Sequence, residues 1–217
     1  MEPSPQSPQP ESRADRLPLI GCDLALDFTN TSSGRGHHTH LEHLRSAEHV
    51  VAWARHAKAL APADGEWILA ALRADEALAA RLLKRALALR EIVYAIGVEV
   101  AARRRAPAEA VDALAHVHAA CIAKARLTPH GGGFVWTWAP QEAPIEAVLG
   151  PIALSALTLL TQADLSRIKQ CQGDHCGWLF LDTTKNKSRR WCEMEVCGNR
   201  AKQKRHQSKL RKTLAAG

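Results

Sequence analysis

Aromatic side chains are scarce in this chain of 217 residues: one Tyr, three Phe and six Trp, 5% in all. Ala and Leu are abundant instead, and that bias favours helices over strands. Long apolar runs are missing too. The longest, AVLGPIALSALTLL, has fourteen residues, short of the about 20 that a spanning helix needs. The N-terminus, MEPSPQSPQPESRADRLP, has no apolar core segment and so no secretory signal; its Pro- and Ser-rich composition makes residues 1–17 an expected disordered tail. A cytoplasmic chain with no membrane partner is the expectation. No Gly-rich phosphate loop, nucleophile elbow or telling carboxylate pair occurs, and the GGG of residues 131–133 sits in a predicted hairpin rather than between strand and helix. An enzyme therefore has no positive support.

Cysteine is also sparse, with six residues, but four of them are clustered. In the cytoplasm disulfides are rare, so clustered thiols point to metal or redox chemistry. Cys22 and Cys121 stand alone and read as small buried hydrophobes.

Positive charge is confined to one end. The net charge is +7, yet residues 182–212 hold eleven Lys or Arg against three acids, while residues 1–181 are close to neutral. Such asymmetry suggests a polyanionic partner for that end, nucleic acid first, with a solubilising tail as the bland alternative.

Apolar periodicity organises the rest into a helical domain. CDLALDFTNT alternates Leu24, Leu26 and Phe28 and predicts a half-buried strand. SSGRGHHTH reads as a loop. Val50, Trp53, Ala57 and Leu60 predict a helix, PADG a break, and Trp67, Ile68 and Leu72 a second helix. The strongest stripe, Leu78, Leu82, Ala86, Leu89, Val93, Ile96 and Val100, predicts a central core helix. RRRAP ends it, and Val111, Leu114, Val117, Cys121 and Ile122 should face inward on the next. ARLTPHGGGFVWTWAP predicts a β-hairpin with Phe134, Trp136 and Trp138 on one face. A buried helix kinked near Pro151 follows.

Cys171-x4-Cys176 and Cys192-x4-Cys197 are separated by fifteen residues. Two thiol pairs around a short insert are the pattern of a structural zinc site, since zinc takes four soft ligands in a tetrahedron. GWLFLDTT then KNKS suggest a hairpin carrying the chain from one pair to the other. Two disulfides are the alternative under oxidising conditions, a redox-responsive zinc site is a variant, and iron is a rival ion. A catalytic zinc is disfavoured, because four cysteines leave no open position. Four thiolates on a divalent ion carry net −2, which Lys187, Arg189, Arg190 and Arg200 would offset.

RIKQCQGDHCGWLFLDTTKNKSRRWCEMEVCGNRAKQKRHQSK resembles the zinc finger named for its Cys-Gly-Asn-Arg motif, here Cys197, Gly198, Asn199 and Arg200. LALDFTNT and the domain order resemble the helical ABATE domain that accompanies this finger in bacterial proteins regarded as stress-induced transcription regulators. The resemblance implies a mainly α fold: residues 18–164 as a helical ligand-sensing domain with a small β-hairpin, and 165–213 as a zinc-ribbon or treble-clef-like finger of β-hairpin and basic helix. It implies Cys171, Cys176, Cys192 and Cys197 as Zn2+ ligands. Glu193 stands where family members often have a small residue, and two acids between the ligands weaken the local positive field.

Beyond Cys197 the chain reads as a helix with little apolar cover. Candidate nucleic-acid contacts are Lys187, Arg189, Arg190, Asn199, Arg200, Lys202, Lys204, Arg205 and Lys209. Asn199 and Arg200 suit base edges, and equally a helix cap and a backbone or thiolate contact. Trp178, Phe180 and Trp191 read as packing of the finger. Candidate effector contacts are Asp27, Asn30 and Thr31, at the polar end of the predicted first strand, and Trp53, which with Trp67, Trp136 and Trp138 would line a cavity between helices, plain core packing being the alternative for these aromatics. His37, His38, His40 and His43 crowd one loop; imidazole suits zinc, copper and nickel, and solvated loop histidines are the plainer reading. His116 and His118 read as boundary residues of a helix.

The function expected is a zinc-dependent, DNA-binding transcription regulator with a small-molecule-sensing domain. The alternative is a zinc-stabilised module binding RNA or an acidic protein without operator specificity. Operator, effector, oligomeric state and sign of regulation are not written in the sequence.

Overall fold

The computed structural model describes residues 11–214, and all side chains in that span except those at 209, 210 and 212–214. The described residues contain seven α-helices, three two-stranded antiparallel sheets and three single helical turns. Residues 1–10 of the expected tail, and the side chain of Lys209, lie outside what is described.

The remainder of that tail is packed rather than disordered. Ala14 and Leu17 are buried at 1% and 4% exposure. Ser12 donates to the carbonyl of His43, and the Leu17 carbonyl bonds His56 Nε2 at 2.7 Å. Two apolar anchors among the polar residues suffice to dock the segment.

LALDFT forms a helix, α1 (Leu24–Thr29), where alternation predicts a strand. Asp23 decides it, because its side chain caps the N–H groups of Ala25 and Leu26. The buried residues are then Ala25, Leu26, Phe28 and Thr29, a helical spacing that also satisfies an alternating pattern over so short a span. Strands β1 (Ser32–Ser33) and β2 (Leu41–Glu42) pair across the histidine loop. Helix α2 (Ala47–His56) starts at a Ser46 cap. In α3 (Pro62–Ala74), PADG is the first turn rather than a break: Pro62 stands at the first helical position, where its missing N–H costs nothing.

Helix α4 (Glu76–Ala101) is the axis of the domain. Its stripe from Leu78 to Ile96 is buried as the periodicity predicts, and it packs on α1, α2, α3 and α5. Arg90 is buried on the same helix; its guanidinium grips Glu42 on β2 at 2.6 and 2.5 Å and Glu91 at 2.9 Å. On α5 (Ala108–Ile122) only Leu114 and Cys121 are fully buried, while Val111 is 45% exposed.

Strands β3 (Arg126–His130) and β4 (Gly133–Thr137) form the expected hairpin, with Gly131 and Gly132 at positive φ in its tip. Its aromatics do not enter the core: Phe134 is 67% and Trp136 42% exposed. Trp138 alone turns inward, donating to the carbonyl of Cys121 and packing on Gly150, where a Cβ would stand 2.4 Å from the ring. Helix α6 (Pro144–Gln162) carries Pro151 inside it and is long and apolar enough to cross a membrane. Ile145, Val148, Leu149, Ile152, Ala156 and Leu159 are instead buried, and the helix packs on α1, α4 and α5.

The C-terminal unit is small. Strands β5 (Ile168–Gln170) and β6 (Leu179–Leu181) pair in the register Ile168 to Leu181. This hairpin brackets the first cysteine pair and does not bridge the two pairs. Helix α7 (Asn199–Leu214) ends the described residues. Leu26, Leu159, Ile168 and Leu179 form one buried cluster, so the finger and the helical domain share core.

Candidate metal centre

Backbone turns aim the four sulfurs inward. Cys171 leaves β5 with its N–H on the Trp178 carbonyl at 2.8 Å, and the Cys176 N–H returns to the Gly173 carbonyl at 3.2 Å. His175 and Gly177 take left-handed backbone angles on either side of Cys176. Cys192 follows an extended loop. Cys197 lies in a single π turn (Met194–Gly198), where the N–H groups of Cys197 and Gly198 share the Glu193 carbonyl at 3.1 Å.

The four Sγ atoms lie within 4.8 Å of one another. Cys192 Sγ is 3.6 Å from both Cys176 and Cys197 Sγ. A tetrahedron with metal–sulfur bonds of about 2.3 Å has edges of about 3.8 Å, so the residues fit one tetrahedral ion. Cys171, Cys192 and Cys197 are buried and Cys176 half-buried. Hydrogen bonds from Cys176, Cys192 and Cys197 hold the Cys171 thiol far below its ordinary range. The Cys192 thiol is pushed far up, first by its contact with Cys171. A cation held among the four sulfurs would bring all of them to the thiolate form. Two N–H groups, of Cys192 at 3.2 Å and Gly173 at 3.4 Å, point at Cys171 Sγ and orient it from outside the ligand set.

Gly173 is required by space. A Cβ there would stand 2.9 Å from Cys197 Sγ and 3.4 Å from Cys171 Sγ. Gly173→Ala is expected to weaken metal binding by about 10–100-fold, the range for disturbed outer-shell contacts; competition with a chromophoric chelator measures it.

Asp182, fully buried, shapes the approach to the second cysteine pair. It accepts from Lys169 Nζ (2.6 Å), the Thr184 hydroxyl (2.6 Å) and N–H (2.9 Å), and the Arg189 N–H (3.0 Å). Burial alone would raise its pKa; the Lys169 ammonium and the other donors outweigh that and hold it well below the usual carboxylate range. Lys169 also donates to the carbonyls of Lys187 and Arg189.

Of the residues expected to meet a ligand, Asn30 bonds the finger directly and Asp27 is tied to it through Gly21. Asn30 Nδ2 donates to the Leu179 carbonyl and its Oδ1 accepts the Leu179 N–H, both at 2.9 Å. Thr31 donates to Phe28 and accepts from Arg90. Trp53 is buried in the helical core against Phe28. Asp27 accepts the Gly21 N–H at 2.7 Å, while the Gly21 carbonyl accepts the Leu181 N–H. Further ties were not legible beforehand: Trp178 Nε1 to Ser33, Gly34 N–H to the Cys176 carbonyl, and the Tyr94 hydroxyl to the Gly177 carbonyl. A Cβ at Gly97 would stand 2.5 Å from Leu179, so α4 and β6 meet at a glycine.

Desolvation pushes the Asp27 carboxyl up to about 6, against the pull of the Gly21 N–H. The folded chain therefore binds the proton more tightly than the unfolded one. Stability from this group is complete below about pH 4 and is lost as pH rises to about 6, on the order of 2 kcal/mol. Asp27→Asn should flatten that part of the stability–pH profile, which denaturant melts at pH 4.5 and 7 would show.

The predicted basic contacts divide. Lys187 pairs with Asp164 at 2.7 Å. Arg189 donates to the carbonyls of Ile20, Trp191 and Cys192 and lies over the Phe180 ring. Arg190 bonds Gln172 and covers Trp191. These three side chains are engaged in bonds within the fold. On α7, Asn199 Nδ2 bonds the Glu195 carbonyl, Lys204 pairs with Asp174 at 2.6 Å, and Arg205 bonds the Ala201 carbonyl. Arg200 and Lys202 are exposed, and no acidic partner for either is found among the described residues.

Comparison with known families places two matches on the chain. The family ABATE, described as "Putative stress-induced transcription regulator", matches residues 23–163. The CGNR zinc finger matches residues 167–209. A search of curated proteins finds no match.

Proposed function

The chain belongs to the ABATE family, carries a CGNR zinc finger at its C-terminal end, and from that premise we propose a cytoplasmic, zinc-dependent transcription regulator that binds DNA through α7. The observation that carries the reading is the attachment of α7 to the four-sulfur cluster, with Arg200 and Lys202 exposed and without acidic partners among the described residues. Zinc is the ion that four thiolates in a closed tetrahedron favour. It would be held by Cys171, Cys176, Cys192 and Cys197, and would fix the start of α7. Cations projecting from that helix then meet phosphate.

Each cation that neutralises a phosphate releases counterions and steepens the salt dependence of binding. Arg200→Ala and Lys202→Ala are each expected to lower the log–log salt slope by about one. Arg189→Ala is expected to destabilise the finger instead, since it bonds the carbonyls of Trp191 and Cys192 and ties them to Ile20. Fluorescence anisotropy across a salt series separates these. An unchanged slope in the Arg200→Ala/Lys202→Ala double variant would remove α7 from the interface. A site bound about 10³-fold tighter than competitor DNA supports a regulator; its absence favours the alternative module for RNA or an acidic protein.

The effector belongs between the domains in this reading. A cleft of about 240 Å³, which abuts the sulfur cluster, is lined by Leu17, Leu41 and His43 from one side and by Trp178, Arg200 and three of the four cysteines, Cys176, Cys192 and Cys197, from the other. Ligand sites favour such domain junctions. A small molecule with an apolar body and one anionic group suits it. A thermal-shift screen of small aromatic acids tests this, with loss of response in Leu41→Glu as the control.

A further inference from the structure

Outside the sulfur cluster, two imidazoles from distant parts of the chain face each other. His37 lies in the loop between β1 and β2, and His175 in the turn between the first two cysteines. Their Nδ1 atoms are 2.6 Å apart, and the rings cross at 85° with centroids 4.1 Å apart. The His38 ring centroid is 5.9 Å from that of His175. The backbone beneath is fixed. The Gly34 N–H bonds the Cys176 carbonyl at 3.2 Å, the His37 N–H the Gly34 carbonyl at 3.1 Å, and the Cys176 N–H the Gly173 carbonyl. His40 and His43 take no part, since their Nε2 atoms bond Ser32 and Ser33. The nearby Asp174 is held by Lys204.

A neutral Nδ1–H on one ring can donate to the Nδ1 lone pair of the other, and the same two nitrogens are placed to grip a metal ion instead. Nitrogen ligands at about 2.0–2.1 Å in a tetrahedron stand about 3.3 Å apart, so the two exposed rings need to part by only about 0.7 Å. Imidazole donors suit late first-row ions. We propose that His37 and His175 form a second metal site, distinct from the four-cysteine centre, that takes a divalent ion such as Ni2+, Cu2+ or Zn2+. His38 supplies a third ligand after side-chain rotation, and water completes the shell. A bound ion would tie the histidine loop of the helical domain to the turn that carries Cys176. The site does not depend on the DNA-binding reading.

The test is calorimetric titration of the full-length, tag-free, zinc-loaded chain with NiCl2, with zinc followed by elemental analysis. The expected result is one Ni2+ per chain with zinc retained. His37→Gln and His175→Gln should each weaken binding by about tenfold or more, because each removes one of two or three ligands, and His40→Gln should not. Cu2+ gives an independent reading on the unmodified chain: its electron paramagnetic resonance spectrum should show coupling to ring nitrogens. Binding that survives the His37→Gln/His175→Gln double variant overturns the proposal. So does nickel entering only as zinc leaves, or a copper spectrum without nitrogen coupling.

Discussion

Replacing Cys192 by Ser is expected to give a chain that holds no stoichiometric zinc, does not bind DNA and melts far below the unaltered protein. Cys192 is 4% exposed and its sulfur lies 3.6 Å from two of the other three. Its N–H also orients Cys171 Sγ. A serine oxygen is too short and too hard to complete a thiolate tetrahedron. Structural zinc contributes roughly 10 kcal/mol or more to the folding of small fingers, against the roughly 5–15 kcal/mol that holds a whole domain together. The loss cannot stay local, because Leu179 and Ile168 belong to a cluster that includes Leu26 and Leu159 of the helical domain. Zinc analysis and thermal melts by circular dichroism check it. A variant that kept one zinc and an unchanged melt would refute the role given to the cluster.

Asn30→Ala is the second large effect. Asn30 is 2% exposed, and its amide satisfies both the N–H and the carbonyl of Leu179. Truncation leaves two buried main-chain groups unpaired, at about 1–3 kcal/mol each. The expected loss is about 2–5 kcal/mol, or roughly 5–15 °C for a chain of this size. Limited proteolysis should cut the variant first between about residues 167 and 209, where the finger lies. Asn30→Asp should fare as badly at neutral pH, because a carboxylate cannot donate to the Leu179 carbonyl. An effector-binding role for Asn30 alone predicts neither result.

The sequence carried the four cysteines, the central helix, the glycine-tipped hairpin and the basic helix because each rests on a strong local signal: spacing, period or composition. LALDFT misled because six residues can satisfy both a period of two and a helical one, and the deciding signal was the capping Asp23. The exposure of Phe134 and Trp136 was not legible, because alternation says which residues share a face, not whether anything covers it. The polar residues of α1 and the segment after it were singled out, but their task was hidden. Asn30 bonds a residue 149 positions away, and no local pattern encodes such a partner. The same distance concealed the division of labour among the cations. Arg189 and Arg200 look alike in sequence, and only the fold shows one bonded to three carbonyls and the other facing solvent.

Hydrogen exchange of the full chain, before and after metal is removed by chelator, tests the central claim most directly. The account predicts that the amides of Leu179, Leu181 and Asp182, bonded to Asn30, Gly21 and Arg167, lose protection together with Cys197 and the start of α7. Protection unchanged at those amides, with the metal gone, would contradict it.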